Sequence, residues 1–457
     1  MARFLHSVAA GPLATAEPLP QDQRVTQTVP GRAPRDIERT PRIHRAWWVA
    51  LVAFVALVGA AAFRATPSVM IEPFHQEFGW SHGTISFAIS VNIMLYGLTS
   101  PFAAALMERF GMRRVVAAAL ALVSAGSGLT VFMSASWQLV LCWGLLVGLG
   151  TGSMALAFVA TVTDRWFVAR RGLVSGILTA GTAAGQLVFL PLLAVVVDDH
   201  GWRPASLTVS AVALAAVPLV VLLLRDRPED VGLTAYGATG PALHVAPATG
   251  AGRRAVTALT SAARTGTFWL LAGTFAICGA STNGLVGTHF VPAAHDHGMP
   301  VTTAAGLLAV VGIFDLVGTI ASGWLTDRFD PRLLLAVYYA LRGVSLTVLP
   351  LLLADQVHPP MLFFIVFYGL DWVATVPPTI ALCREHFGAS GPIVFGWVLA
   401  SHQIGAALVA FGAGLTRDHF GSYDLAWIIA GALCAMAAAM SLAIRRGAVP
   451  AAAPSSG

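Results

Sequence analysis

The 457-residue chain contains no lysine: all 27 of its basic residues are arginine. Schiff-base or nucleophilic lysine chemistry is therefore excluded. Charge of either sign is scarce, at 11% of residues against roughly a quarter in an ordinary soluble domain. Cysteine is scarce as well. Cys142, Cys278, Cys383 and Cys434 stand singly in or at the ends of apolar stretches, without metal-ligand or C-x-x-C spacing, and so define no redox compartment or metal site. The run Gly148-Leu149-Gly150-Thr151-Gly152 lacks the lysine and the strand context of a phosphate loop. No cofactor is implied. What is abundant is apolar surface, at 56% hydrophobic residues and a mean hydropathy of +0.74. No soluble core of this size needs so many apolar side chains. Together with 12 Trp, 24 Phe, 45 Gly and 26 Pro, this composition reads as a polytopic membrane protein.

The first 45 residues are rich in Pro, Arg and Gln and have no sustained apolar core, so residues 1–45 are expected to be a disordered cytoplasmic tail, not a cleaved signal peptide. From Ala46 the chain becomes a series of apolar runs long enough to cross a bilayer. Spans are expected near 46–72, 82–107, 114–134, 138–163, 172–197 and 204–224. A second set follows near 266–291, 301–326, 333–353, 359–383, 392–416 and 423–444. The fold class expected is all-α: twelve transmembrane helices in two pseudo-symmetric six-helix bundles, 46–224 and 266–444, with a cytoplasmic central loop at 225–265 and a tail at 445–457.

Charge sidedness supports this map. With the N-terminus inside, 23 arginines fall in cytoplasmic segments, only Arg203 and Arg417 fall outside, and the outer loops hold acids such as Glu77, Asp198, Asp199 and Asp418. This is the positive-inside pattern, with both termini cytoplasmic, and it accounts for the basic pI without nucleic-acid binding. A monomer in a bacterial inner membrane is expected.

A shift of 219 residues superimposes the halves. Pro73 and Gly79 fall on Pro292 and Gly298, in what reads as the loop after each first span; Arg109 and Arg113 fall on Arg328 and Arg332. Arg165 and Gly172 meet Arg384 and Gly391, and Asp199-His200 meets Asp418-His419. Parallel repeats with substrate between them are a transporter arrangement. Met107-Glu108-Arg109-Phe110-Gly111-Met112-Arg113-Arg114 resembles the loop-2/3 signature of the major facilitator superfamily, and Gly323-x-x-x-Asp327-Arg328-x-x-x-Arg332 resembles its second copy. The resemblance implies that these charged turns latch helix ends on the cytoplasmic face; simple topology anchoring is the alternative.

Within that superfamily, the segment Trp166–Gly181, which carries Arg170 and Arg171, resembles the signature of the monocarboxylate-transporter branch, as does Arg227–Leu233 after the sixth span. Departures stand beside the matches. Asp315 fits the first position of the branch's Asp-x-x-x-Arg, but Thr319 occupies the second. Gly144 stands where drug antiporters carry an arginine.

Ionised side chains inside a bilayer cost at least ~2.5–3.5 kcal/mol each, so they mark partners or wet cavities. Four occur here: Arg64, Asp315, Arg342 and Asp371, which sum to zero charge. At 1.5 Å per residue, Asp315, Arg342 and Asp371 lie ~15–20 Å from the cytoplasmic edge and are expected to meet. Asp371 shares a helical stripe with Phe364, Tyr368, Thr375 and Pro378, while Pro377-Pro378 should kink the tenth span. Asp371 reads either as a proton-carrying, cavity-lining acid or as a structural partner of Arg342, itself either a substrate ligand or only a pairing group. Arg64 suits bidentate carboxylate binding, with snorkelling as the alternative, and its repeat equivalent Asn283 is also polar. Further cavity candidates are Asn92 and Tyr96 on the second span, Gln186 on the fifth and His402 on the eleventh.

The function expected is secondary active transport of a small organic anion, monocarboxylate-like, by alternating access. Proton coupling would run through Asp371 or Asp315. Efflux of a hydrophobic compound is the alternative, and an enzyme is disfavoured because no nucleophile or nucleotide-binding motif occurs.

Overall fold

A computed structural model of the protein describes residues 44–154, 156–238 and 250–446. Nearly all of the expected N-terminal tail, residues 239–249 of the central loop and residues 447–457 of the C-terminal tail lie outside the described residues. Twelve helices are long and apolar enough to cross a membrane. The first six are Arg45–Phe78, His82–Phe110, Met112–Phe132, Ser136–Trp166, Arg171–His200 and Trp202–Leu223; the second six are Gly266–Asp296, Val301–Thr326, Pro331–Leu351, Pro359–Phe387, Gly391–Phe420 and Asp424–Ala443. They are numbered below as the first to twelfth spans.

The first and seventh spans run further than hydropathy suggests. Pro73 and Pro292 do not sit in loops; each lies inside its helix. Helix continues past the apolar stretch because the last turns keep bonding internally and stop only where glycine takes a positive φ, +65° at Gly79 and +88° at Gly298. The second span starts on Ser81, whose hydroxyl accepts from the backbone N–H of Thr84.

Within each half the spans pack through small residues. A Cβ at Gly148 of the fourth span would lie 3.0 Å from the carbonyl oxygen of Asn92, so only glycine lets the second and fourth spans approach this closely. Between the halves, the second span packs along the eleventh, the fifth along the eighth, and the first against the seventh. Large apolar side chains such as Phe132, Ile320, Leu351 and Phe363 are exposed on the outside of the bundle, where lipid replaces water as their neighbour.

The central segment is not wholly loop. Ala251–Ala262 forms a helix that packs against both the second and the eleventh spans, and its Ala255 carbonyl accepts from the indole of Trp397 at 2.9 Å. Upstream, Tyr236 joins Trp47 and Phe167 in an aromatic cluster and bonds the turn after the fourth span through Tyr236 N to Trp166 O at 2.8 Å.

The tenth span is broken, as its proline pair suggests. Helix runs from Pro359 to Asp371 and resumes from Val376 to Phe387. Proline has no N–H to donate, so Pro377 and Pro378 leave the carbonyls of Val373 and Ala374 without their helical donors. The backbone N–H of Val376 serves the first, and the hydroxyl of Ser322 serves the second.

Candidate functional site

The candidate residues on the described spans gather in two polar constellations, and these are separate. The first surrounds the break in the tenth span. Arg342, fully buried, donates from Nε to Asp371 Oδ2 at 2.6 Å, from Nη2 to the backbone carbonyls of Asp371 and Trp372, and from Nη1 to Cys278 Sγ at 3.0 Å. Asp315 accepts from the backbone N–H of Val373 at 3.0 Å and from the Thr319 hydroxyl at 3.2 Å. The three charges thus converge as their depths suggest: Arg342 and Asp315 bind backbone that the broken helix leaves exposed, and Asp371 pairs with Arg342. Thr319, standing where the branch signature has arginine, holds Asp315 in place. Oδ1 of Asp371 is buried without a partner among the described residues. Tyr368 is fully buried and donates to the carbonyl of Ser281 at 2.8 Å, so its hydroxyl ties the tenth span to the seventh.

The second constellation is a central cavity of about 70 Å³ between the halves. Arg64, Asn92, Tyr96 and Gln186 line it from the first half, and Asn283, Thr288 and Gln403 from the second. Phe63, Pro67, Ile89 and Ile93 supply apolar wall. Arg64 is the one charged residue among the described lining residues; its guanidinium lies 4.9 Å from the centre of the Tyr96 ring, and no carboxylate within 4 Å pairs with it.

Local backbone irregularity positions the amides. Both the fourth and seventh spans contain a π-helical stretch, Val140–Val147 and Ala280–Val286, a feature often found at functional sites. The side-chain amide of Asn92 donates to the Trp143 carbonyl in the first stretch at 2.7 Å. Asn283 sits within the second, and its carbonyl accepts from the hydroxyl of Thr288 at 2.8 Å. The Asn92 amide is thereby pinned beside the cavity, while at Asn283 the bond is to the backbone carbonyl and fixes the turn that carries the side chain.

Five of the expected candidates therefore line the cavity: Arg64, Asn92, Tyr96, Gln186 and Asn283. Asp315, Arg342, Asp371 and Tyr368 do not, and gather instead at the helix break. His402 points into the second half against the Phe275 ring, 5.0 Å centre to centre. Gln403, Thr151 and Thr288 are cavity residues that the sequence reading passed over. The cost-of-polarity argument, applied to uncharged amides, would have raised Gln403 beside His402.

The charged turns lie at one end of the bundle. Glu108, Arg109, Asp327 and Arg328 are exposed, as are Arg170 and Arg171, and Arg170 adopts a positive φ of 60°. Arg113 N donates to Asp226 Oδ1, Arg171 to the Phe167 carbonyl, Arg328 to the Trp324 carbonyl, and Arg332 to both Asp330 and the Ile444 carbonyl. None of these partners lies in the opposite half; Asp226 is in the segment just after the sixth span. In this arrangement the bonds anchor helix ends within each half.

Comparison with known proteins agrees with this architecture. The family model described as Major Facilitator Superfamily matches residues 52–391. Monocarboxylate transporter 13 of Rattus norvegicus is 31% identical over 397 residues, covering 84% of this chain and 86% of its own. The uncharacterized MFS-type transporter YcxA of Bacillus subtilis is 25% identical over 400 residues, covering 83% and 90%. Among solved structures, a D-xylose-proton symporter superposes with a TM-score of 0.68 at 16% identity, covering 88% of this chain and 99% of its own. That last likeness concerns the fold.

Proposed function

This chain belongs to the major facilitator superfamily of membrane transporters, and we propose that it carries a small organic anion of the monocarboxylate type by alternating access, with its arginine-rich end in the cytoplasm. One observation carries the substrate class: among the described residues the central cavity is lined by a single charged group, the Arg64 guanidinium, unpaired with any described carboxylate and surrounded by neutral amides and hydroxyls contributed by both halves. A lone cation in a low-dielectric cavity favours an anion, and guanidinium matches the fork of a carboxylate. The 31% identity to a protein named a monocarboxylate transporter supports the same class.

Ligands that touch both halves bias how the halves sit, which is what alternating access requires. Asn92 and Gln186 on one side and Asn283 and Gln403 on the other would grip opposite ends of a bound anion. The test is counterflow of labelled short monocarboxylates in proteoliposomes, alongside dicarboxylates, neutral sugars and hydrophobic cations. Saturable exchange confined to monocarboxylates and lost in Arg64→Gln is expected. Exchange of sugars or hydrophobic cations, or undiminished carboxylate exchange by Arg64→Gln, would overturn the reading.

A further inference from the structure

At the end of the molecule remote from the arginine-rich turns, the two halves meet where one imidazole lies between two carboxylates. His82 opens the second span and is only 5% exposed. Its Nε2 lies 3.6 Å from Oε2 of Glu72 on the first span, and its Nδ1 lies 3.3 Å from Oδ1 of Asp418 on the eleventh. The Asp418 carboxylate also accepts from the backbone N–H groups of His82 and Gly83, at 2.9 and 2.7 Å. Glu72 and His82 belong to the first half and Asp418 to the second. The halves cannot part at this end without breaking these contacts.

A neutral imidazole carries one N–H and one bare lone pair, so between two carboxylates one of its nitrogens would face an anion lone pair to lone pair. Only the imidazolium donates toward both. We propose that Glu72, His82 and Asp418 form a proton-binding site, and that occupancy by a proton locks this end of the two halves together. Without the proton, the Asp418 carboxylate meets a neutral ring across the interface, and parting the halves lets water hydrate it. With it, the buried cation keeps Glu72 beside it on its own half and gains in Asp418 a second anionic partner that opening would remove.

The other charged groups nearby leave this assignment to His82. His75 of the first span stacks on the ring at 4.4 Å, and its own Nδ1 bonds the Trp80 carbonyl at 2.7 Å. His289 of the seventh span faces the same cluster, with its Nε2 on the Ala410 carbonyl. Arg417, next to Asp418, is engaged by Asp296 at 2.7 Å. Gln76 donates to the remaining oxygen of Glu72. The role in coupled transport rests on the anion-carrier reading above: a proton taken up while this end is open closes it over an anion at Arg64.

The experiment measures the gate without substrate. All four native cysteines are buried, so spin labels can be placed on Asp199→Cys in the fifth span and Phe420→Cys in the eleventh, both exposed at this end and on opposite halves. The distance distribution is recorded at about pH 5.5 and about pH 8, a window in which histidine titrates. If closure tightens the hold on the proton tenfold, the closed-to-open ratio falls about tenfold between these two conditions, by reciprocity of linkage. His82→Gln should abolish that pH response, and Asp418→Asn should diminish it; unfolding midpoints near the parent's show that both variants fold. A pH response retained in full by His82→Gln, or none in the parent protein, overturns the proposal. Carboxylate counterflow, run in parallel, separates the two readings: its absence from the parent sinks the anion reading while the spin-label result still decides the proton site.

Discussion

The hydroxyl of Ser322 on the eighth span donates to the carbonyl of Ala374 on the tenth, 2.5 Å away, replacing the donor that Pro378 lacks. Both groups are fully buried or nearly so. Ser322→Ala should therefore strand a carbonyl in apolar surroundings and destabilise the protein by about 1–3 kcal/mol. Thermal unfolding in detergent measures it, and an unchanged midpoint would show that the carbonyl has another donor.

The ion pair at the same break tests whether those charges serve structure or transport. Arg342→Met leaves Asp371 buried and uncompensated and should cost about 3–5 kcal/mol, whereas Arg342→Met with Asp371→Leu should regain much of the loss. Because neither residue lines the cavity, anion binding by the folded double variant should stay near that of the parent. Abolished binding in a well-folded double variant would return the pair to the substrate path.

Arg64 is expected to behave oppositely. A charge-assisted hydrogen bond contributes about 1.5–3 kcal/mol, so Arg64→Gln should weaken carboxylate binding roughly 10- to 100-fold with little change in unfolding midpoint. Equilibrium binding of a labelled carboxylate reads the first quantity, and the melting curve reads the second.

The seventh and eleventh spans touch backbone to backbone. A Cβ on Gly279 would meet the His402 carbonyl and one on Gly405 the Ala276 carbonyl, both far inside contact distance. Gly279→Ala or Gly405→Ala should force the helices apart and cost about 1–3 kcal/mol, while Gly412→Ala on the same helix, where a Cβ meets nothing within 4 Å, should be nearly neutral. Equal losses at all three positions would contradict the packing.

Asp330 caps the ninth span by accepting from the backbone N–H of Arg332, and the Arg332 guanidinium bonded to its carboxylate holds its pKa below the ordinary value. The sign follows from linkage: a depressed carboxyl pKa stabilises the fold above the unfolded value, and that contribution fades as pH falls through the folded one. Asp330→Asn should keep the cap but flatten this acid limb, an effect of at most ~1 kcal/mol for a partly exposed pair. Unfolding midpoints between about pH 2 and pH 5 check it.

The twelve spans are legible in the sequence because hydrocarbon imposes a length and a composition on each helix. Their ends are less so: Pro73 and Pro292 read as loop residues, yet proline near a helix end removes only one bond and the helix closes at the next glycine. In the site, the depth argument brings Asp315, Arg342 and Asp371 together correctly. It says nothing of which way they face, and here they turn to a broken backbone and not to the cavity. Arg64 is found by the cost of its charge in lipid and Asn283 by its equivalence to Arg64 in the repeat, a relation that geometry shares with sequence. Gln403 is missed because an uncharged amide costs less in lipid and gives a fainter signal.

The short helix Ala251–Ala262 leaves a mechanical consequence. It lies across the second and eleventh spans and is pinned to Trp397, so the two halves are joined there by a rigid strut about 18 Å long as well as by the chain itself. A strut tied to both moving parts sets a limit to their travel. Motion that opens this end must part the strut from one half: leaving the second span gives up packing, and leaving the eleventh also breaks the bond between Trp397 and Ala255. The stroke of the carrier would then be set by a piece of chain that never touches its cargo.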